Sequence, residues 1–298
     1  MPKKNNYICI ECEFISLKWQ GKCPECSSWN SFQEEGKAFI SESKLKKINF
    51  EVKVNNYYKT KISGIDRVMG GGIRHHSINL MGGEPGIGKS TLLLSICDRF
   101  LKKYKKKTIY ISGEESSDQI NDRFLRMNLK SNDLRILHET SWNQIKKVIE
   151  KEEPEFIILD SIHTTLIEDI SSIAGSLNQV REIIYDLTRL AKTKKITCFV
   201  IGHITKDGQV AGPKTLEHMV DGVFSLEGIN KMNYRIFRCL KNRFGKTNES
   251  CLFEMNEKGL IEVDNPETYF LNEVNLKAIG RSITYCLLYT SPSPRDRG

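Results

Sequence analysis

Apolar residues in this chain gather in short runs that stop at polar or glycine residues. Five runs set the frame: Ser77–Met81, Thr108–Ser112, Phe156–Asp160, Ile196–Ile201 and Tyr234–Leu240. Their length and their content of Ile, Val, Phe and Tyr predict short buried strands. Helical patterns lie between them. Thr91–Cys97 reads as a helix after the first strand, and Val180, Ile183, Ile184, Leu187, Leu190 and Ala191 fall at the spacing of one helix face. Ser116, with Gln119 three residues on, carries the signature of a capping box and predicts a helix start. Strands alternating with helices predict an α/β fold with a mostly parallel sheet.

The ends of those runs hold the chemistry. Between the first strand and its helix stands Gly83-Glu84-Pro85-Gly86-Ile87-Gly88-Lys89-Ser90, followed by Thr91. Glycine, four residues, then Gly-Lys-Ser is the phosphate-binding loop pattern, and strand–loop–helix is the setting it requires. Glycines let successive N–H groups turn toward phosphate oxygens. Lys89 reaches the β- and γ-phosphates, Ser90 ligates Mg²⁺, and the helix presents its positive end. The expected ligand is ATP with Mg²⁺.

Phe156-Ile157-Ile158-Leu159-Asp160 follows the breaker Pro154 and has the form of a Walker B strand, with Asp160 holding the Mg²⁺ hydration shell. Glu114, just past the Thr108–Ser112 strand, sits where carboxylates face the ligand crevice of an open α/β sheet. It is a candidate general base for water, and equally a solvated loop residue. His203, in the polar cluster Gly202-His203-Ile204-Thr205-Lys206 at a strand end, is either a sensor of the γ-phosphate or, as a lone histidine more often is, a structural residue. In Lys241-Asn242-Arg243-Phe244-Gly245 two cations stand two apart, which on a strand puts them on one face. They form either a solvated edge or a charge delivered to a neighbour's nucleotide. Residues 168–176 and 206–214 lack apolar periodicity and are expected to be mobile loops.

Cysteines divide the chain further. Cys9 and Cys12 form one pair, Cys23 and Cys26 another, with ten residues between the pairs. Two such turns close a tetrahedral Cys₄ zinc site, a staple that so small a module needs. Trp19, Trp29 and Phe32 are expected to pack around the metal. Cys97, Cys198, Cys239 and Cys251 lie in apolar surroundings and read as small core residues. Residues 36–58, rich in Lys and Asn, read as a linker. The resulting domains are a ribbon at 1–35, the linker at 36–58, an ATPase domain at 59–280 and a tail at 281–298.

Composition changes this picture little. With 298 residues, 39% hydrophobic and 28% charged, the chain fits one large α/β domain plus a small module. No apolar run approaches the ~18 residues of a membrane span, and the basic N-terminus leads into the cysteine motif, so a cytoplasmic protein is expected. The formal net charge of +8 admits either solvated lysines or a polyanionic partner.

Together these motifs resemble the bacterial RadA (Sms) family of DNA repair ATPases. The resemblance rests on the four clustered cysteines with Lys18-Trp19-Gln20-Gly21-Lys22, the phosphate loop, Ser112-Gly113-Glu114-Glu115-Ser116, Asp160-Ser161, Gly202–Lys206, Ala211–Asp221 and Lys241–Gly245. It implies a RecA-like fold, homo-oligomeric rings, loading on single-stranded or branched DNA, and migration of recombination junctions beside a recombinase filament. It also implies that Glu114 activates water, that Lys241 and Arg243 act across a subunit interface, and that the two unpatterned loops contact DNA. The family pattern continues past Gly280 into a Lon-protease-like domain. Residues 281–298 match none of it and read as a fusion scar or the end of a gene fragment. Two other readings are a clock-type RecA-like ATPase that regulates protein binding and a P-loop kinase. The kinase reading lacks an arginine-rich lid segment, and the ribbon with Lys241–Gly245 favours repair over the clock-type reading.

Overall fold

A computed structural model describes residues 7–9, 14–29, 31–34, 56–203, 215–229 and 233–265, and the chain divides into two units between Val54 and Asn55. The expectations placed on Cys12, on residues 204–214, on most of the linker and on the tail at 281–298 lie outside the described residues.

In the small unit β1 (Tyr7–Cys9) pairs antiparallel with β2 (Ile15–Ser16) and β3 (Phe32–Glu34), in the order β2-β1-β3. Among the described residues its core is Cys9, Cys23 and Phe32, with Tyr7 and Phe14 packed against them. So little buried surface cannot offset the chain entropy of the module without a staple. Phe32 lies where expected; Trp19 and Trp29 do not. They are 55% and 72% exposed, because the smaller rings already fill the space beside the sulfurs.

The large unit opens with β4 (Tyr57–Tyr58), paired antiparallel with β5 (Ile73–Arg74) across α1 (Ser63–Val68). Composition put Tyr58 in the linker, yet it is buried against His75, Phe100 and Tyr104. Then come β6 (Ile78–Gly83), α2 (Lys89–Tyr104), β7 (Thr108–Ser112), α3 (Ser117–Arg126), β8 (Leu134–His138), α4 (Trp142–Glu152) and β9 (Phe156–Asp160). The chain continues through α5 (Leu177–Lys194), β10 (Thr197–His203), α6 (Thr215–Met219), β11 (Gly222–Gly228), β12 (Tyr234–Asn242), β13 (Ser250–Asn256) and β14 (Gly259–Glu262).

One sheet runs β14-β13-β12-β11-β6-β10-β9-β7-β8. It is parallel from β11 to β8, and β12, β13 and β14 add an antiparallel meander. Both faces are covered, which is why the strands read as unbroken apolar runs. Along β9, Phe156 and Ile158 join the core under α2, while Ile157 and Leu159 join the core under α5. Each such side chain contributes about 1.5–3 kcal/mol by leaving water. Cys97, Cys198, Cys239 and Cys251 are all buried, as expected. Burial pushes the Cys239 thiol up to about 11 and Cys251 to about 12, so both stay protonated and inert. Among the described residues no helix is long and apolar enough to cross a membrane.

Register decides what meets at the carboxyl edge of the parallel strands. Ser112 stands level with Asp160, Leu159 with Val200, and His203 with Gly83. The ends of β6, β10, β9 and β7 therefore share one crevice.

Candidate active site

β6 delivers Gly83 to the crevice, and the chain turns through Glu84, Pro85, Gly86 and Ile87 into α2. Gly88 is the N-cap, with φ 110° and no side-chain acceptor. A Cβ at Gly88 would stand 2.6 Å from Met255 Cε, the movable tip of a flexible side chain, so it is the φ of 110° that demands glycine here. The first-turn N–H groups of a 16-residue helix are left uncapped, with no acidic residue in that turn. Such an end is a seat for an anion, and the residues present fit a nucleotide phosphate. Thr91 follows within the same turn.

Lys89 is 5% exposed, and its Nζ donates to the carbonyls of Gly83 and Glu84 at 2.9 Å each. Burial lowers its pKa, while the carboxylates of Asp160 and Glu114 act to raise it. The loop, the Walker B acid and the candidate base are thus electrostatic neighbours.

Asp160 ends β9 almost fully buried. Ser90 Oγ donates to its Oδ2 at 2.6 Å, and the Tyr110 hydroxyl donates to the same oxygen. Burial pushes the Asp160 pKa up; the two donors pull it down, and Glu114 and Glu115 push it up again. An oxygen pair held together at the end of a buried strand is the hard donor set that Mg²⁺ takes. Nothing in the sequence pattern marked Tyr110, which reads as one more inward residue of β7.

Beyond β7, a Cβ on Gly113 would fall 2.4 Å from Thr164 Oγ1, so glycine is needed to pass. Glu114 follows, and Ser161 Oγ donates to its Oε1 at 2.5 Å. Ser161 is fully buried and anchors the Glu114 carboxylate at one oxygen, while Glu114 as a residue remains exposed. Glu115 pairs instead with Arg123. The Ser116–Gln119 capping box forms as expected. His203 ends β10 with its backbone beside Gly83, at the crevice; only its backbone is described.

Lys241 and Arg243 converge, by a route the sequence did not show. Phe224 pairs with Cys239 but Val223 pairs with Lys241, so Leu240 is an extra residue, a β-bulge. The bulge turns Lys241 from the face of Phe237 and Cys239 to the opposite face, where α6 packs. Its Nζ donates to the carbonyls of Glu217 and Val220. Arg243, just past the strand, donates to Asp221 Oδ1 at 3.3 Å and to the His218 carbonyl at 2.9 Å. Burial lowers the Lys241 pKa, and Arg243 lowers it further. Both cations lie at the opposite edge of the sheet from the phosphate loop. Val223 joins Lys241 to Leu80, three residues before Gly83, or about 10 Å along the strand.

Residues 168–176 are more tightly held than their composition suggests. Buried Gln179 accepts from the Ile167 N–H and donates to the carbonyls of Ile167, Ile170 and Ser172, which fastens the first half of that loop to α5. Beyond it Ile173 is 83% exposed.

In the small unit the sulfurs of Cys9, Cys23 and Cys26 all lie within 4.8 Å of one another, with Cys9 and Cys26 3.6 Å apart. That is too long for a disulfide. Thiolates each ~2.3 Å from a tetrahedral zinc stand about 3.8 Å apart, so the donor set fits Zn²⁺. Ser31 Oγ, 3.2 Å from Cys9 Sγ, supports it from outside.

Comparison with known proteins agrees with both units. A model described as a rubredoxin metal binding domain matches residues 7–34, and one described as an AAA domain matches residues 41–209. The chain is 43% identical over 303 aligned residues to DNA repair protein RadA of Bacillus subtilis (strain 168), covering 97% of this chain and 66% of that protein. It is 42% identical over 277 residues to DNA repair protein RadA of Aquifex aeolicus (strain VF5), covering 91% and 62%. The chain thus spans just under two thirds of the length of these curated relatives. Among solved structures, the KaiC-like protein PH0186 of Pyrococcus horikoshii OT3 superposes with a TM-score of 0.58 at 17% identity, covering 70% of this chain and 98% of that one. That likeness is one of fold. The fold is a RecA-like P-loop core preceded by a zinc ribbon, and the donor sets take ATP and Mg²⁺ at the loop and Zn²⁺ at the ribbon.

Proposed function

Since the chain belongs to the AAA domain family and shares its ribbon and ATPase units with the RadA DNA repair proteins, we propose that it is a DNA-dependent ATPase of recombinational repair. The observation that carries this reading is the convergence of Lys89, Ser90, Asp160 and Glu114 on one crevice. In it, the uncapped α2 N-terminus and Lys89 hold the phosphates. Ser90 and Asp160 hold the metal, which when bound neutralises charge on the β- and γ-oxygens. Glu114, oriented by Ser161, accepts the proton of the attacking water. Desolvation within the crevice strengthens each of these interactions.

The product of that chemistry is movement on DNA. The net charge of +8 suits a polyanion, and residues 168–176 and 206–214 are the segments assigned to contact a single strand. Lys241 stands about 10 Å along the strand from its own phosphate loop and Arg243 farther still, so their service is to the nucleotide of the next subunit in a ring. Loaded on single-stranded or branched DNA beside a recombinase filament, the assembly drives branch migration.

Steady-state ATP turnover, measured with and without single-stranded DNA on the chain and on Lys89→Ala, tests the reading. Turnover should rise with DNA and vanish in the variant. DNA-independent turnover, or wild-type turnover in Lys89→Ala, would overturn it.

A further inference from the structure

The ribbon carries two large aromatic rings that its own fold does not use. Of the three tryptophans, Trp142 is 1% exposed in the core of the large unit, whereas Trp19 and Trp29 stand open to solvent. Their placement is built. Ser16 Oγ is buried, donates to the Lys18 carbonyl at 2.7 Å, and accepts from the Lys18 N–H and from Gln20 Nε2. That turn displays Trp19. Lys22 bridges to Trp29 across the backbone, and its Nζ lies 5.7 Å from the Trp29 ring. Between the indoles lies Gly21. A Cβ there would stand 3.9 Å from Trp19 Cη2 and 4.0 Å from Trp29 Cζ3, so both ring edges meet over a residue with no side chain. Exposed Lys18 and Lys22 flank them.

We propose that this surface is a stacking site for the unpaired bases of single-stranded nucleic acid. Flat exposed rings accept any base face, the missing side chain at Gly21 keeps their edges uncovered, and the two lysines supply charge for the backbone. Exposed Ile15 and Leu17 lie beside the site, which makes a protein partner the alternative occupant. The aromatic pair with its flanking cations favours nucleic acid. The inference rests on the DNA-binding reading but assigns a contact in the ribbon, separate from the ATPase loops.

Because Trp142 is buried and out of reach of a stacking base, quenching of tryptophan emission in the zinc-loaded chain reports on the ribbon pair. Titration with 5′-labelled oligo(dT) should quench that emission at the same midpoint as the rise in label anisotropy. Trp19→Ala with Trp29→Ala should abolish the quench and weaken binding roughly five- to a hundredfold. Zinc content and DNA-free ATP turnover should be unchanged. The Phe pair should keep the affinity, which separates stacking from loss of the fold. Anisotropy without quenching, with affinity unchanged in the Ala pair, would overturn the ribbon site while leaving DNA binding by the ATPase unit intact. Absence of any anisotropy change would overturn both. Equal quenching by duplex of the same length would overturn stacking, since paired bases offer no free faces.

Discussion

Tyr110→Phe tests how the acid centre is held. The Tyr110 ring is fully buried, and its hydroxyl donates to the same Asp160 oxygen that Ser90 reaches. Phenylalanine keeps the ring and removes only that donor. A hydrogen bond to a charged group contributes about 1.5–3 kcal/mol, and one to a neutral group about 0.5–1.5. The substitution therefore costs about 1 kcal/mol more when Asp160 is ionised than when it is neutral. In a domain of this size that difference is roughly 2–4 °C in Tm. The sign with pH follows from Asp160 itself, whose pKa burial already raises. A raised carboxyl favours the fold below the unfolded pKa near 3.9, and that stabilisation is lost as pH rises through the folded value. Loss of the Tyr110 donor lifts the folded value further, so the nucleotide-free variant loses most Tm at the alkaline end. Calorimetry of wild type, Tyr110→Phe, Asp160→Asn and the double variant closes a cycle at pH 5 and pH 8. In the Asp160→Asn background the Tyr110 change should cost only about 0.5–1.5 kcal/mol. The ATPase readout is independent: Tyr110→Phe should raise the Mg²⁺ concentration needed for half-maximal turnover. An additive cycle together with an unchanged Mg²⁺ requirement would refute the assignment.

Two further outcomes follow from the same geometry. Cys9→Ser or Cys26→Ser should release the zinc and unfold the ribbon, because a structural zinc contributes folding free energy on the order of 10–16 kcal/mol. Metal analysis and limited proteolysis should show that loss while the melting of the large unit is unchanged. In the proposed ring, Glu114→Gln and Arg243→Ala, each nearly inactive alone, should partly restore ATP turnover when mixed, since some interfaces would then hold one intact Glu114 and one intact Arg243. If mixed assemblies verified by differential tags show no recovery, Arg243 serves DNA contact instead, and its defect should shrink as salt is lowered.

Which of these features could be read from the chain depends on how far apart the interacting residues lie. Strands β7 and β9 occupy the residues their apolar runs mark, Asp160 ends β9, the capping box opens α3, and the phosphate loop joins β6 to α2 as its motif requires. In each case the information is local: a period, a breaker, or a short motif whose residues touch each other. The supports of the site are of another kind. Tyr110 meets Asp160 across 50 positions, and only the pairing of Tyr110 with Ile158 brings the hydroxyl within reach. Ser161 meets Glu114 across 47 positions, although the two acids nearby were visible. Gln179 sits in a helix that reads as polar at that point, and the carbonyls it fastens belong to a loop whose sequence suggested mobility. The tryptophans fail for a different reason. Large aromatic rings normally mark a core, but Phe32, Phe14 and Tyr7 already fill a module this small.

Lys241 reaches the neighbourhood of Arg243 by a route that strand alternation does not contain. Simple alternation along β12 places residue 241 with Phe237 and Cys239, on the face that packs in the core with α2. A lysine there would face a buried apolar layer, at a cost that burial without a partner makes large. The extra residue at Leu240, itself 41% exposed, reverses the parity and sends Lys241 to the carbonyls at the end of α6, where Arg243 also arrives. Deleting Leu240 should therefore return Lys241 to the apolar face and separate the two cations. The joint placement of that charge pair is a property of the bulge, and no spacing rule applied to the sequence alone contains it.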